Sequence, residues 1–245
     1  MRSILSKIKK IRCVKFFYLL SKSVVQVEKN ASFIVKKNVK IKNSKIIIKK
    51  NSKIIIEEGV VLKNILLVLD GEVYIGKETT IHNGAVAKPV KLDITGTFRC
   101  GERNRLTCNI WIRFGGELSI GSYTNINEET EIRVDEKVEI GSYNQISYKC
   151  VIWDTNTHNM YSCQKRRELA QRYFPKYGYE FEKPETKPIS IGDDCWLGRE
   201  AAILKGVTMG DRCVVGYRTV VSNCTLEENI TVVSSVNNKF YKNKI

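Results

Sequence analysis

The sequence predicts an all-β solenoid, a parallel β-helix with three flat sides, and three observations predict it. Aliphatic residues recur at every sixth position: Ile191, Leu197, Ile203, Met209, Val215 and Val221 form an unbroken run, Ile120, Ile126, Ile132 and Val138 a second, and Ile140, Ile146 and Ile152 a third after a two-residue slip. Glycine follows the aliphatic residue at Gly76, Gly121, Gly141, Gly192, Gly198, Gly210 and Gly216. A small residue stands two positions before it, as at Cys150, Cys195 and Cys213.

A step of six matches neither the helical period of about 3.6 nor simple strand alternation. It fits a chain that runs in short strands and turns a corner every six residues, making coils of roughly 18 residues stacked at about 4.8 Å, the strand spacing. Weaker runs, Ile75, Ile81 and Ala87, and Ile48, Ile54, Val60 and Leu66, extend the pattern toward the N-terminus. Glycine beside the inward residue suits a corner that needs positive φ or a close approach of the next coil. Thr124, Ala201, Val207 and Thr219 share the phase of the three cysteines. A small inward side chain is needed there, and a free thiol serves as a small hydrophobe. Cys195 and Cys213, 18 apart, are expected in successive coils.

Two segments break the period. Residues 1–22 show a helical stripe (Ile4, Ile8, Ile11, with Lys15 and Leu19) with basic residues between. Two readings stay open: a cap for the first coil, as solenoids require, or a basic amphipathic segment lying on an anionic membrane. Residues 159–188 form a long insertion holding Lys165, Arg166, Arg167, Tyr173, Phe174, Tyr177, Tyr179 and Phe181, and its start, Ser162–Tyr173, suits a short helix. An insertion of that length in a compact domain is usually functional. The domain reading is therefore an N-terminal segment, 1–22, and a β-helix, 23–245, with the insertion inside it and a C-terminal tail over 224–245.

The chain has 245 residues, with 41 basic against 26 acidic, a net charge of +15. That balance suits an anionic partner, yet no nucleic-acid recognition motif accompanies it. Eight cysteines (Cys13, Cys100, Cys108, Cys150, Cys163, Cys195, Cys213 and Cys224) form no CxxC pair, so free thiols in a reducing cytoplasm are expected. The start, MRSILSKIKKIRCVKFFYLL, carries charge through its apolar stretch and reads as neither leader nor span. The expected location is cytoplasmic, with contact at the inner face of the membrane if residues 1–22 lie on lipid.

Only two histidines exist, His82 and His158. A zinc site built from three histidines is disfavoured, and no cysteine spacing suits zinc, so no metal is expected. His82 lies within a repeat and reads as a solvated side chain on a coil face. His158, in the stretch WDTNTHNMY (153–161), stands where the repeats give way to the insertion, a place where catalytic groups concentrate. A histidine suits general-base work near neutral pH.

Residues 188–216, PISIGDDCWLGREAAILKGVTMGDRCVVG, resemble the signature of the hexapeptide-repeat sugar O-acetyltransferases, a group that includes maltose and galactoside acetyltransferases and the capsule and lipopolysaccharide O-acetyltransferases. A histidine some 30 to 40 residues before the Trp-Leu-Gly element also matches, and the resemblance covers about residues 115–245. It implies a left-handed β-helix, acetyl-CoA as co-substrate, a sugar or glycan acceptor and a homotrimer with sites between copies. It implies that His158 takes the proton of the acceptor hydroxyl. Asn127 and Asp135 match an asparagine and an aspartate that contact the acceptor, although both types also suit corner hydrogen bonding. Trp196 matches an aromatic residue at the active-site cleft, and packing between copies is its other reading. Backbone N–H groups near Gly198, Arg199, Gly216 and Tyr217 would line the pantetheine and meet the thioester oxygen. Lys239 and Lys242 align with basic residues near the nucleotide phosphates.

The chain departs from this pattern in two places. Tyr217 and Arg218 stand where the family often has small residues, which would narrow the channel or add a phosphate contact. The terminal Gly-x-Pro-Ala-Lys element has become Ser235 to Lys239, without its proline. Two rivals stay open: an N-acetyltransferase of a nucleotide-linked amino sugar, and a non-catalytic β-helix that binds a partner or glycan.

Overall fold

The computed structural model describes the backbone of residues 15–19 and the whole of residues 21–175, 182–235, 239, 240 and 242. Within these, strands of two to five residues build a three-sided prism. Ten strands form the first sheet and nine form each of the other two. From Ser23 onward, successive strands belong to successive sheets, so each coil runs along the first, second and third sheets before rising to the next. The architecture is a left-handed parallel β-helix of hexapeptide repeats.

The six-residue step produces this shape because like residues stack on like. In the first sheet Ile132 pairs with Ile152, Ile152 with Ile203 and Ile203 with Val221. In the third, Ile126, Ile146, Leu197 and Val215 form a parallel column. In the second, Ile140, Ile191 and Met209 do the same. All are buried, and one core runs the length of the prism. Burying each such side chain contributes about 1.5–3 kcal/mol. Cys150, Cys195, Cys213, Thr124, Ala201, Val207 and Thr219 are buried as their phase requires.

Some sequence expectations need correction. Leu66 points outward, because Ile65, Leu67 and Leu69 supply the inward positions of their strand. Ala87 is exposed, on an excursion between Thr80–His82 and Val90–Ile94 that the six-step count runs straight through. Coils are 18 residues long only in places: Ile203 to Val221 is 18, but Ile46 to Leu67 is 21. The glycines after the inward residue are there for close approach and not for φ. A Cβ on Gly141 would lie 2.6 Å from the carbonyl oxygen of Gly192 in the next coil. The left-handed conformation falls two residues later, on Tyr123, Tyr143, Asp194 and Arg212.

The helical stripe also fails at Lys15–Leu19, which form strand β1, antiparallel to β2 (Ser23–Val27) at the edge of the first sheet. The aromatic, apolar sequence KFFYL suits a strand, and pairing satisfies its backbone where a helix end would not. Residues 1–14 lie outside the described residues. In the insertion, Cys163–Tyr173 form helix α1, with Ser162 accepting a hydrogen bond from the Lys165 amide as N-cap. No described helix is long and apolar enough to cross a membrane.

Burial pushes the thiols of Cys100 and Cys108 up to about 12, because the thiolate would lose its hydration inside the prism. Cys163 and Cys224 are exposed. Native protein at neutral pH is therefore expected to give Cys163 and Cys224 to a thiol reagent at once, while Cys100 and Cys108 react only after denaturant is added. Peptide mapping of the labelled chain reads the order.

Candidate functional site

Sheets that stack in register leave three edges where side chains collect, and two of them border the first sheet. The edge between the first and second sheets carries Arg113, Asp135, Asp154 and then His158. Arg113 follows Ile112 as Asp135 follows Val134, its paired residue in the next coil. Arg113 therefore meets Asp135 in a two-pronged ion pair, Nε to Oδ1 at 2.8 Å and Nη2 to Oδ2 at 2.6 Å. The Asp135 side chain is 0% exposed, and its Oδ2 also accepts from the Thr155 hydroxyl at 2.7 Å. Asp135 thus faces its own chain, with both oxygens engaged.

That network holds the segment leading to His158. Thr155 Oγ1 accepts the amide hydrogen of Thr157 at 3.0 Å, and Arg113 Nη2 donates to the Thr157 carbonyl at 3.4 Å. Thr157 has φ +63°, the one β-branched residue in the left-handed region among the described residues. A β-branched side chain resists that conformation, and such strain persists only where neighbours over-determine it. His158 follows, exposed, its amide donating to the Asn156 carbonyl at 2.7 Å. Beneath it Asp154 accepts amides from Asp135, Glu136 and Lys137 at 2.7–2.8 Å, closing the corner of the coil below. Burial still raises the Asp154 carboxyl above its ordinary value, against the pull of those three donors. The base of the insertion is tied down as well: Thr186 bonds to Glu136 and Lys205 pairs with Glu185 at 2.6 Å.

The edge between the third and first sheets carries Asn127, then Gly198–Arg199 and Gly216–Tyr217 in higher coils. The amides of Gly198 and Gly216 are spent on the ladder, donating to the carbonyls of Val215 and Val232 at 2.7 and 2.8 Å. The next amides, of Arg199 and Tyr217, meet no protein acceptor among the described residues. The backbone donors available to a ligand are therefore the ones after the glycines. Gly198 is required here because a Cβ would lie 2.9 Å from the Tyr217 nitrogen. Trp196 stands on the adjoining outer face of the third sheet, 56% exposed, and Tyr217 is 57% exposed. Arg218 packs on the Tyr217 ring and pairs with Glu200 at 2.5 Å, so its charge is already engaged. Lys239 and Lys242 are exposed.

Asn127 belongs to a second cluster. Arg105 Nη1 donates to Asn127 Oδ1 at 2.9 Å and Asn125 Oδ1 at 3.0 Å, and its Nη2 lies 3.7 Å from Glu128 Oε1. Glu128 is buried, and its Oε2 has no hydrogen-bond partner. Gly84 has φ +55°, and a Cβ there would collide with the end of the Glu128 side chain, which would have to move. His82 is half-buried and accepts the Gly84 amide through Nδ1 at 3.0 Å, so it is less solvated than a coil-face residue. Burial, then the nearby Arg105, lower its pKa.

One chain therefore brings Asp135 to the base of His158, and Asn127 to the same edge as Gly198, Arg199, Gly216 and Tyr217. It keeps His158 and that second group on opposite edges of the first sheet. Sequence reading missed Arg113, Thr155, Asp154, Arg105 and Glu128. The coil register would have found Arg113, which stands one coil below Asp135 in the same phase.

The chain matches the model described as "hexapeptide repeat of succinyl-transferase" over residues 188–217. It is similar to the hexapeptide-repeat acetyltransferases. Among curated proteins, it is 26% identical to the Escherichia coli protein named as a colanic acid biosynthesis acetyltransferase, WcaF, over 46% of this chain and 52% of that one. It is 28% identical to the Escherichia coli protein named as a lipopolysaccharide biosynthesis O-acetyl transferase, WbbJ, over 60% of this chain and 72% of that one. Of solved structures, the hexapeptide-repeat acetyltransferase VCA0836 of Vibrio cholerae is 26% identical, covering 55% of this chain and 67% of that one, with a TM-score of 0.41. The chain spans about half the length of the first curated relatives it matches, WcaF among them.

The Arg113–Asp135 pair gives a direct test. Arg113→Met leaves a buried carboxylate without its partner, which costs about 3–5 kcal/mol. Urea unfolding should show that loss, and Arg113→Lys, which keeps a charge but not the two-pronged geometry, should recover part of it.

Proposed function

We propose that the chain is an acetyl-CoA-dependent O-acetyltransferase that modifies a sugar hydroxyl of a bacterial surface polysaccharide or its precursor, with His158 as general base. The observation that carries this reading is the strained turn at Thr157, locked by Arg113, Asp135 and Thr155 immediately before the one histidine at the mouth of the insertion. Strain held that firmly is a feature of functional sites. The activities for which WcaF and WbbJ are named agree with it.

Acetyl-CoA supplies an activated acyl group as a thioester. His158 accepts the proton of the acceptor hydroxyl as its oxygen forms a bond to the acyl carbon. Charge then gathers on the former carbonyl oxygen, where an unspent amide such as that of Arg199 or Tyr217 stabilises it at no reorganisation cost. The carbon–sulfur bond breaks, and the imidazolium returns its proton to the departing thiolate. Asn127 holds the acceptor through its side-chain amide, and exposed Trp196 offers a flat face to a sugar ring. Asp135 acts as a positioning residue, through Arg113. Lys239 and Lys242 meet the nucleotide phosphates as point charges.

The reactive groups belong to more than one copy in this reading. His158 lies on one edge of the first sheet and the amide donors on the other. The outer face of that sheet carries Ile47, Leu66, Val68, Trp111, Trp153, Leu204 and Val220. It is the most apolar of the three outer faces, and packing it against neighbours in a trimer would set each His158 beside the next copy's donors. Arg133, between the rings of Trp111 and Trp153 at 5.3 and 4.9 Å, stiffens that face.

His158→Ala is expected to lower transfer by about 10²–10⁴-fold, the usual contribution of a general base. Thermal stabilisation by CoA should survive the substitution. Near-normal turnover in the variant would remove the base assignment, and a wild-type chain that CoA does not stabilise would remove the enzyme reading altogether.

A further inference from the structure

We propose that the outer face of the third sheet is a docking track for the acceptor chain and that the acceptor is an anionic glycan, with Arg105 as the residue that selects it. The proposal rests on the acetyltransferase reading and extends it from the reacting hydroxyl to the class of polymer. It starts from the distribution of charge over the three outer faces. Strands of the second sheet mix both signs, with Lys53, Glu72, Arg99, Glu117, Lys137 and Glu139. The nine strands of the third sheet contain no acidic residue, and its outward positions include Lys40, Lys42, Lys63 and Arg105.

Register makes these residues a line. Lys42 pairs with Lys63 and Lys63 with His82 along one outward column. In the neighbouring column Thr80 pairs with Arg105, Arg105 with Asn125, Asn125 with Gln145, and Gln145 with Trp196. The face thus runs from exposed lysines through Arg105 to the proposed acceptor contacts, six strand spacings in all, or about 29 Å at the usual separation. That length accommodates several sugar rings with Trp196 at the reacting end. At the bordering corners Glu58, Glu78 and Glu129 pair with Lys37, Arg103 and Lys149, Glu57 and Glu102 lie near Tyr74 on the second sheet, and Glu128 lies against Arg105 itself. Among the described residues no salt bridge engages Lys40, Lys42 or Lys63.

Arg105 joins the track to the site. Its Nη1 donates to the side-chain oxygens of Asn125 and Asn127, and the Asn127 amide nitrogen meets no protein acceptor among the described residues. Its side chain remains 44% exposed, with the Nε side of the guanidinium left for a planar anion. An acceptor with its reacting end at Trp196 and a carboxylate a few rings along, three strand spacings away, would be gripped there, and the lysines below would hold the next charges.

The test uses the full chain and two probes, hexasaccharides of galacturonic acid and of hyaluronan, each beside its carboxyl-reduced counterpart, with binding measured by calorimetry at two salt concentrations. At least one carboxylated probe should bind about tenfold more tightly than its reduced form, and the advantage should shrink with salt. Lys63→Gln should weaken binding by about threefold and Arg105→Gln by about tenfold, while Lys53→Gln and Lys137→Gln on the second sheet leave it unchanged. Equal binding of charged and reduced glycans, no binding by either probe, or equal losses from second-sheet variants would overturn the proposal. CoA stabilisation of the wild-type chain, measured in parallel, reports separately on the acetyltransferase reading.

Discussion

The column of aliphatic side chains inside the prism is the constraint on which the rest of the structure depends. Each inward Ile, Leu or Val must lie over its counterpart in the coil below, because a shift of one residue would turn the whole set outward. Once that register is fixed, every other position is fixed with it, including which residues fall on an edge and which on a flat face. Arg113 finds Asp135, and Arg105 finds Asn125, for the same reason that Ile152 finds Ile203. The chemistry of the edges is a consequence of packing in the core.

The edges then divide the work. One is polar and over-determined: two buried carboxylates, a guanidinium and the Thr155 hydroxyl hold a backbone conformation that Thr157 would not adopt alone. The other is open, with ladder amides spent on the next coil and the following amides left toward solvent. Rigid support on one side and unspent donors on the other suit a reaction in which a base must be held still and charge must be met where it develops. The flat faces differ as plainly. The first is the richest in apolar side chains but carries charges of both signs, the second is mixed and the third cationic, so a prism of nearly uniform interior presents three distinct exteriors.

Much of this was legible in the residues. Six-residue spacing gave the solenoid, its inward positions and the phase of the cysteines, because burial at fixed spacing is a local signal. It failed where the chain inserts residues between coils, as at Ala87, and where alternation within a strand offered two apolar phases, as at Leu66. The helical stripe over residues 15–19 was overridden by pairing with Ser23–Val27, a contact that spacing alone does not reveal. His158 and Asn127 could be named because they resemble a known pattern. The environment of Asp135 does not follow from a fixed spacing, since coils of unequal length put Arg113 22 residues away; only the coil register, with Ile112 against Val134, aligns the two.

The central claim is that edges of the prism from neighbouring copies converge, bringing the imidazole of His158 to the unspent amides of Arg199 and Tyr217. A crystal structure of the chain grown with CoA tests it most directly. The account predicts the CoA sulfur within hydrogen-bonding reach of the His158 ring, in a groove walled by two copies, with the pantetheine running along the amides that follow Gly198 and Gly216. A sulfur bound far from His158, or a groove closed within a single copy, would contradict it.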